Sequence, residues 1–294
     1  YKRGDKLCVD RTKRDVCPCG TLTIKVNENT KIRLAWSQAV VRPEFRELST
    51  FSVYDFALSA TVTGDTKLVR TKITNADVRY ELYPQAGELL TFGIFYKKFK
   101  NPIELFANPA SGGASTFNYI NADDAVSYGA EFEFRKKLLA IQALKNFTVQ
   151  GNLSYIYNRI ASLDRPMQGQ SPYLINLGLQ YDLEKTGITT TLLFNEIGRR
   201  IYYVGNQTSG SNGSADNLPP VWEAPRALLD LQIAKKILKS KGELKLNISD
   251  LLNQTANYYH DLNDNKKFDN ANDALAIKRK YGTNVSISFG YNIK

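Results

Sequence analysis

The chain has 294 residues, a formal net charge of +10 at pH 7 and 43% hydrophobic residues. No stretch approaches the roughly 18 consecutive apolar residues that a membrane-spanning helix requires, which excludes helical spans but not membrane β-strands. The positive charge is spread along the whole chain, and no nucleic-acid-binding motif accompanies it. We therefore expect no nucleic-acid partner and favour a phosphate-rich surface, such as the outer leaflet of a bacterial outer membrane.

Residues 1–20 form an atypical segment that contains all three cysteines, Cys8, Cys17 and Cys19. The sequence opens with YKRGDKLCVD and shows no apolar stretch of the signal-peptide kind, so we expect either a cytosolic protein or an N-terminus that lies upstream. The CPC spacing is tighter than the CxxC of metal and redox sites, which argues against zinc. A Cys8–Cys17 or Cys8–Cys19 disulfide and three free thiols are the alternatives.

From residue 21 onward, apolar and polar side chains alternate in repeated segments, as in strands with one apolar and one polar face. In FTVQGNLSYIYN, for example, Phe147, Val149 and Leu153 alternate with polar or small residues. The sequence predicts about eleven such strands. They start near residues 21, 30, 67, 88, 119, 147, 171, 188, 226, 243 and 275.

The connections between these strands alternate in length along the chain. The short ones are residues 27–29, 83–87, 138–146, 183–187 and 239–242, and the long ones are roughly 42–66, 101–118, 159–170, 205–225 and 259–274. Tight turns at one end and long loops at the other are typical of an up-and-down barrel, whereas a soluble sandwich needs Greek-key crossovers. We predict an all-β fold, an antiparallel up-and-down transmembrane β-barrel of about eleven strands.

In such a barrel the apolar face contacts lipid and the polar face lines a lumen. This predicts lumen positions for six polar residues: Glu131, Glu133, Arg135, Asp230, Gln232 and Lys245. Aromatic residues cluster near strand ends, as expected for girdles at the two lipid headgroup layers. Those at the long-loop ends are Trp36, Tyr155, Tyr157, Tyr173, Tyr202, Tyr203, Tyr258, Tyr259 and Tyr281, and those near the short turns are Tyr80, Tyr83, Tyr181 and Tyr291.

Longer motifs then follow one another in a defined order. They are RPEFREL (42–48), YDF (54–56), NADVRYELYP (75–84), GIFYKKFKNPIE (93–104), YGAEFEFRK (128–136), GQSPYLINLGLQY (169–181), FNEIGRRI (194–201), APRALLDLQIAKK (224–236) and LNISDLLNQ (246–254). With these motifs, residues 21–294 resemble the C-terminal half of the barrel of a TonB-dependent outer-membrane receptor.

The resemblance implies a barrel of roughly 22 strands with a plugged lumen, integral to the outer membrane and in contact with its lipid and lipopolysaccharide. It implies import of a scarce solute, such as a siderophore, cobalamin, glycan or peptide, and no catalytic residue. The plug domain, the first half of the barrel and the segment that contacts the TonB complex are absent from these residues, so we expect a fragment of a larger receptor. A surface adhesion barrel, an outer-membrane hydrolase and a soluble carbohydrate-binding β protein are the alternatives.

The loop segment DLNDNKKFDNAND raises the hypothesis of a calcium site. Its candidate ligands are Asp261, Asn263, Asn265, Asp269 and Asp273. The first four match positions 1, 3, 5 and 9 of an EF-hand-type loop, but Lys266 stands where glycine is preferred and Asp273 lies one residue past the last ligand position. The alternative is a solvated polar loop, and no other cofactor is expected.

The loop VGNQTSGSNGSADNLPPVWEAPR (204–226) is rich in glycine, serine and asparagine, which raises the hypothesis of a mobile ligand lid. Tyr202, Tyr203 and Trp222 are its candidate ligand contacts, because aromatic rings stack on sugars and aromatic ligands. The alternative is a flexible loop with a tryptophan that anchors at the membrane interface. His260 is the only histidine, and we predict that it lies at the surface without catalytic partners.

Overall fold

The computed structural model describes residues 13–108, 116–205 and 218–292. The strands are β1 (Cys19–Lys25), β2 (Thr30–Val41), β3 (Val53–Asp55), β4 (Ala60–Thr63), β5 (Thr71–Leu82), β6 (Leu89–Lys100), β7 (Ile103–Asn108), β8 (Thr116–Asn121), β9 (Ala125–Lys137), β10 (Phe147–Ile160), β11 (Tyr173–Leu183), β12 (Ile188–Ile197), β13 (Arg200–Tyr203), β14 (Val221–Glu223), β15 (Arg226–Ile237), β16 (Gly242–Ser249), β17 (Ala256–His260), β18 (Ala274–Arg279) and β19 (Asn284–Tyr291). The described residues also form one short helix, α1 (Phe45–Leu48), and a 3₁₀ turn (Gln142–Leu144). Within these described ranges, no helix is long and apolar enough to cross a membrane.

Eleven strands pair antiparallel in one continuous sheet, which we call the wall. Their order is β1-β2-β5-β6-β9-β10-β11-β12-β15-β16-β19. Neighbours in the wall follow one another along the chain, as an up-and-down meander requires, so the predicted architecture is confirmed. Among the described residues, β1 and β19 are the two edges of the wall, and all side chains of both strands are exposed.

One face of the wall is apolar across most of its strands. A single cross-strand row consists of Leu22, Leu34, Val78, Ile94, Ala130, Tyr155 and Tyr173. Many of these positions are open: Ile94 is 51% exposed and Ile287, on the edge strand β19, is 72% exposed. An apolar face of this width would be unfavourable in water, whereas in the hydrocarbon core of a bilayer it carries no such cost.

The opposite face is polar, because successive side chains of a strand point to opposite sides of the sheet. One row on this face consists of Glu81, Thr91, Glu133, Asn152, Asn176 and Asn195. Hydrogen bonds connect neighbouring strands within it, as between the Asn195 side-chain amide and Asn176 Oδ1, 2.5 Å apart. The apolar and polar residues that alternate in the sequence therefore form the apolar face and the polar face of the wall.

The connections of the wall follow the predicted pattern of short and long. Residues 26–29, 83–88, 138–146, 184–187 and 238–241 form the short turns, and residues 42–70, 101–124, 161–172, 198–225 and 250–283 form the long connections. In an antiparallel meander this strict alternation places all short turns at one end of the wall and all long connections at the other.

An aromatic row crosses the apolar face near the end that carries the long connections. It consists of Trp36, Tyr96, Tyr128 and Tyr157, with Ala76 between the first two. The rings of Tyr128 and Tyr157 lie 4.9 Å apart, centroid to centroid. Amphipathic rings at this depth are typical of the boundary between hydrocarbon and headgroups.

The long connections carry eight further strands, which form two small sheets above the wall. One sheet has the order β3-β4-β8-β7 and the other β13-β14-β17-β18, and we call the two together the loop layer. They share one core, made of Ala60, Val62, Ala107, Phe117, Tyr203, Val221, Ala256 and Tyr258. A parallel bridge between Phe106 and Val204 joins the two sheets.

The loop layer corrects two of the predicted strand starts. Residues near 119 and 275 belong to β8 and β18, whereas the neighbouring wall strands begin at Ala125 and Asn284. The girdle assignment is also wrong for several tyrosines, since Tyr258 and Tyr259 are 4% and 0% exposed inside the loop layer. Short strands in loops show the same alternation as wall strands, so the local pattern does not separate them.

Candidate ligand-binding loops and polar wall

The six residues predicted to face the lumen all lie on the polar face of the wall. On β9, Glu131 and Glu133 are opposite Ser154 and Asn152 of β10, and Arg135 is on the same side of the strand. Asp230 and Gln232 lie on the corresponding side of β15, and Lys245 on that of β16. The structure therefore brings these charged side chains onto one continuous surface.

Ion pairs and hydrogen bonds organise this polar face. Arg79 Nη2 lies 3.6 Å from Glu131 Oε2, and Lys245 Nζ lies 2.8 Å from a carboxylate oxygen of Glu243. A depression of about 530 Å³ is lined by the polar side chains Glu133, Arg135, Gln150, Asn152, Asn176, Asn195 and Asp230, among others. Such a surface can hold water and contact polar solutes, because its charges need not be desolvated.

Tyr203 is part of the shared core of the loop layer. It is 9% exposed, and its ring lies 4.8 Å from that of Phe117 in an edge-on arrangement. Burial raises the pKa of the Tyr203 phenol to about 12, since the charged form would lose hydration. The predicted ligand contact at Tyr203 is thus enclosed by protein, and we do not include it among the ligand contacts proposed below.

Tyr202 lies at the edge of the same core, in contact with a cation. Its ring is 4.4 Å from the ring of Tyr258, and the Arg279 guanidinium lies over both rings at 5.6 and 5.1 Å. Arg279 also donates hydrogen bonds to the Tyr202 hydroxyl and to the Ala57 carbonyl. Arg279 thereby connects β18 to both sheets of the loop layer, a role that its position in a basic stretch of sequence does not indicate.

Trp222 is covered on one face by a different arginine. The Arg199 guanidinium lies 3.6 Å from the centroid of the Trp222 ring and forms an ion pair of 2.6 Å with Asp261. Stacking of a guanidinium on tryptophan is favourable. A ligand could stack only on the other face of Trp222, so the predicted lid residue serves at least partly to hold β14 in place.

Asp261, the first candidate calcium ligand, is held by protein groups. Its side chain is 2% exposed, and one carboxylate oxygen accepts from Arg199 at 2.6 Å and from the backbone N–H of Lys266 at 3.0 Å. Lys266 adopts a φ of 63°, the left-handed conformation for which glycine is preferred. A guanidinium that already neutralises this carboxylate competes with a calcium ion for it.

The other candidate ligands mostly accept hydrogen bonds from their own loop. Asn263 and Asn265 each accept from the backbone N–H two residues further on, and Asp273 accepts from those of Leu262 and Asp269. Among the residues described, no three Asp, Glu, His or Cys side chains are placed to hold a metal ion together. The calcium site stays a prediction, and the geometry favours a loop organised by its own hydrogen bonds.

His260 lies half-buried at the end of β17. Its Nδ1 lies 3.1 Å from the carbonyl oxygen of Pro219 and donates a hydrogen bond to it. Burial lowers the pKa of the His260 imidazole, because protonation would place a charge in a poorly hydrated position. The contact joins β17 to the chain that leads into β14.

A buried ion pair that sequence analysis missed fixes the third long connection. Arg165 donates to both carboxylate oxygens of Glu104, at 3.2 and 2.7 Å, and their side chains are 12% and 2% exposed. The Gln168 side chain accepts from the backbone N–H of Leu105 and donates to the carbonyl of Tyr202. Nothing in the local sequence distinguishes this pair, because the two residues are far apart in the chain.

Cys17 and Cys19 are exposed free thiols, and Cys19 begins β1 of the wall. Cys8, through which both predicted disulfides would form, lies outside the described residues. Residues 206–217, the central part of the predicted ligand lid, likewise lie outside them.

Solved structures with a similar fold include siderophore receptors and a copper transporter. Over 93% of this chain, a mutant of the ferric enterobactin receptor PfeA from Pseudomonas aeruginosa in complex with enterobactin superimposes with a TM-score of 0.59 and 16% identity. The siderophore receptor PirA from Acinetobacter baumannii covers 94% of the chain with a TM-score of 0.62 and 14% identity, and the copper transporter OprC covers 92% with a TM-score of 0.61 and 14% identity. The chain spans 40% of PfeA, 40% of PirA and 38% of OprC.

These likenesses show that the eleven-stranded wall has the fold of part of each of these proteins. A comparison with curated protein sequences found no match. The model of the outer membrane protein β-barrel family matches residues 5–291, so the chain belongs to this family and is part of a barrel integral to the outer membrane.

Proposed function

We propose that the chain is the C-terminal part of the barrel of a TonB-dependent importer. The observation that carries the proposal is the open, eleven-stranded meander, which superimposes on two siderophore receptors and a copper transporter while spanning about 40% of each. Exposed strand edges in hydrocarbon are costly, because their N–H and C=O groups find no partners there. Further strands of the same receptor would pair with β1 and β19 and close the barrel.

In this proposal the polar face of the wall lines the solute path. Glu131, Glu133 and Arg135 of β9 would face a plug domain and the water around it, as would the other polar residues of that face. Mixed acidic and basic side chains suit a path that admits water and must not retain a solute of either charge. The plug, the TonB contact and the first barrel strands would be supplied by other segments of the receptor.

The loop layer would supply part of the outer ligand-binding surface. Its core is already packed, so the ligand would meet a preformed surface rather than a segment that folds on binding. Phe45, Phe51 and Phe56 are 89%, 79% and 87% exposed around α1 and β3, and we take these rings as candidate ligand contacts. Aromatic rings suit flat ligands such as the catecholate groups of enterobactin-type chelates.

The test uses the complete receptor that contains this chain, in cells with and without a working TonB. The probes are radiolabelled ferric enterobactin, copper(II), cyanocobalamin and a maltooligosaccharide. We expect uptake of one probe that stops when TonB is deleted or the proton-motive force is dissipated. No energy-dependent uptake of any probe by a correctly folded receptor would contradict the proposal and favour the adhesion alternative.

A second measurement tests the loop surface. The triple variant F45A/F51A/F56A is expected to weaken binding of the imported probe, while the variant L139A/I141A, which removes exposed apolar groups at a short turn, is expected to leave it unchanged. Equal binding by both variants would remove the three rings from the ligand site. Because the structures that the chain resembles are receptors and transporters, we assign no catalytic residue.

A further inference from the structure

A basic cavity lies at the rim of the wall where the long connections begin. It has a volume of about 680 Å³ and is lined by Lys13, Arg42, Pro43, Leu48, Val69, Arg70, Lys72, Lys100 and Asn101. Five of these nine residues are basic and none is acidic. The carboxylate of Asp15 pairs with Arg42 and Arg70, so it is already engaged by two of the five cations.

The strand register places the cavity on the lipid side of the barrel. Lys98 and Lys100 continue the exposed apolar side of β6, which carries Ile94 and the aromatic-row residue Tyr96. Lys72 is the direct cross-strand neighbour of Lys100. Two lysines directly opposite each other repel, and within the described residues neither forms an ion pair.

The height of the lysines matches the headgroup layer. At about 3.4 Å per residue, Lys98 and Lys100 lie roughly 7 and 14 Å along the strand beyond Tyr96. A tyrosine of the aromatic row marks the edge of the hydrocarbon, so cations at this distance above it meet the headgroups of the outer leaflet. An anion held there would relieve the repulsion between Lys72 and Lys100.

We propose that this cavity binds the phosphate group of a glycolipid of lipid A type in the outer leaflet. The phosphate accepts hydrogen bonds from Lys72, Lys100 and Arg42, while the acyl chains lie along the apolar face below the aromatic row. Ion pairing with lysine and arginine is the ordinary way in which proteins hold anionic headgroups. The inference rests on the outer-membrane location alone and not on the proposed import.

The experiment titrates the complete, delipidated receptor in detergent with bisphosphorylated lipid A and counts bound lipid by native mass spectrometry. The variant K72Q/K100Q is expected to bind lipid A about 30-fold more weakly than the wild type. The control K97Q/K235Q removes the same charge from the polar side of β6 and from the short-turn end of β15, and it is expected to bind like the wild type. Heat-modifiable migration in electrophoresis confirms that each variant is folded.

Three results would overturn the proposal. The first is equal weakening in K72Q/K100Q and K97Q/K235Q, which would show attraction by net charge alone. The second is undiminished binding of lipid A from which both phosphates have been removed. The third is that pyrophosphate binds to the wild type, but not to K72Q/K100Q, and displaces no lipid, which would assign the cavity to a soluble anion. Lipid binding is measured without transport, so failure of the import proposal leaves this test intact.

Discussion

The buried pair of Glu104 and Arg165 gives the sharpest test of how the loop layer is held together. The substitution Glu104→Gln keeps the size of the side chain and one acceptor oxygen for the N–H of Gln168, but it removes the negative charge. Arg165, only 12% exposed, would then be buried without a counterion. Breaking a buried pair in this way costs about 3–5 kcal/mol, far more than the loss of one neutral hydrogen bond.

The expected effect is local opening of the loop layer rather than unfolding of the wall. Hydrogen exchange followed by mass spectrometry in the complete, detergent-solubilised protein measures it directly. The N–H groups of Leu105 and Ala107 bond to Gln168 and Val204, so their protection reports the contact between β7 and its neighbours. A cost of about 3 kcal/mol corresponds to a fall in protection of roughly 100-fold, if these amides exchange through that opening.

An ion pair between the end of β10 and the same connection provides the matched control. Arg159 and Asp164 lie 2.9 Å apart, but their side chains are 46% and 82% exposed. Because exposed pairs contribute about 0–1 kcal/mol, Asp164→Asn is expected to change protection in β7 very little. Equal protection in Glu104→Gln and Asp164→Asn would refute the argument that burial makes the first pair important.

Three further predictions concern the loop layer. Burial lowers the pKa of His260 in the folded state, so the unfolded state binds more protons below about pH 6.5. The contact of His260 with Pro219 should therefore weaken as the pH falls through that range. Faster protease cleavage of the loop layer at pH 5 than at pH 7.5, absent in His260→Asn, would show this weakening. A Cβ at Gly64 would overlap backbone oxygens of three residues around α1, so Gly64→Ala should speed cleavage of residues 42–66, whereas Gly20→Ala, with nothing within 4 Å, should not. Calcium or a chelator should leave the hydrogen-exchange protection of residues 259–274 unchanged, because Arg199 already neutralises Asp261. A calcium-dependent increase in this protection would instead support the calcium site.

The wall was predictable because its pattern is local. Period-2 alternation specifies the two faces strand by strand, and the alternation of turn lengths specifies the up-and-down order. Glu131 and Gln232 were therefore assigned to a common face from the sequence alone, and the register bears out that shared face. No knowledge of contacts between distant residues was needed.

The loop layer was not predictable because its contacts are non-local. Strand β4 pairs in parallel with β8, and Phe106 bridges to Val204, across connections that carry no register signal in the sequence. Whether a tyrosine such as Tyr259 faces lipid or a protein core depends on these pairings. Sequence analysis assigned it to a membrane girdle, and the structure buries it completely.

Strand β10 passes through both solvation regimes of the molecule within a few residues. Tyr155 and Tyr157, on the apolar face, are 66% and 39% exposed, as suits side chains that meet lipid and headgroups. Three residues later, Ile160 is 0% exposed and packs with Met167 and Ala125 in a small core below the third long connection. On β10, apolar side chains thus face lipid up to the aromatic row, and beyond it, toward the long connections, they face a protein core. The membrane boundary on β10 therefore lies between Tyr157 and Ile160, and the basic cavity opens at the same end of the wall, beside β5 and β6, where a lipid phosphate would lie.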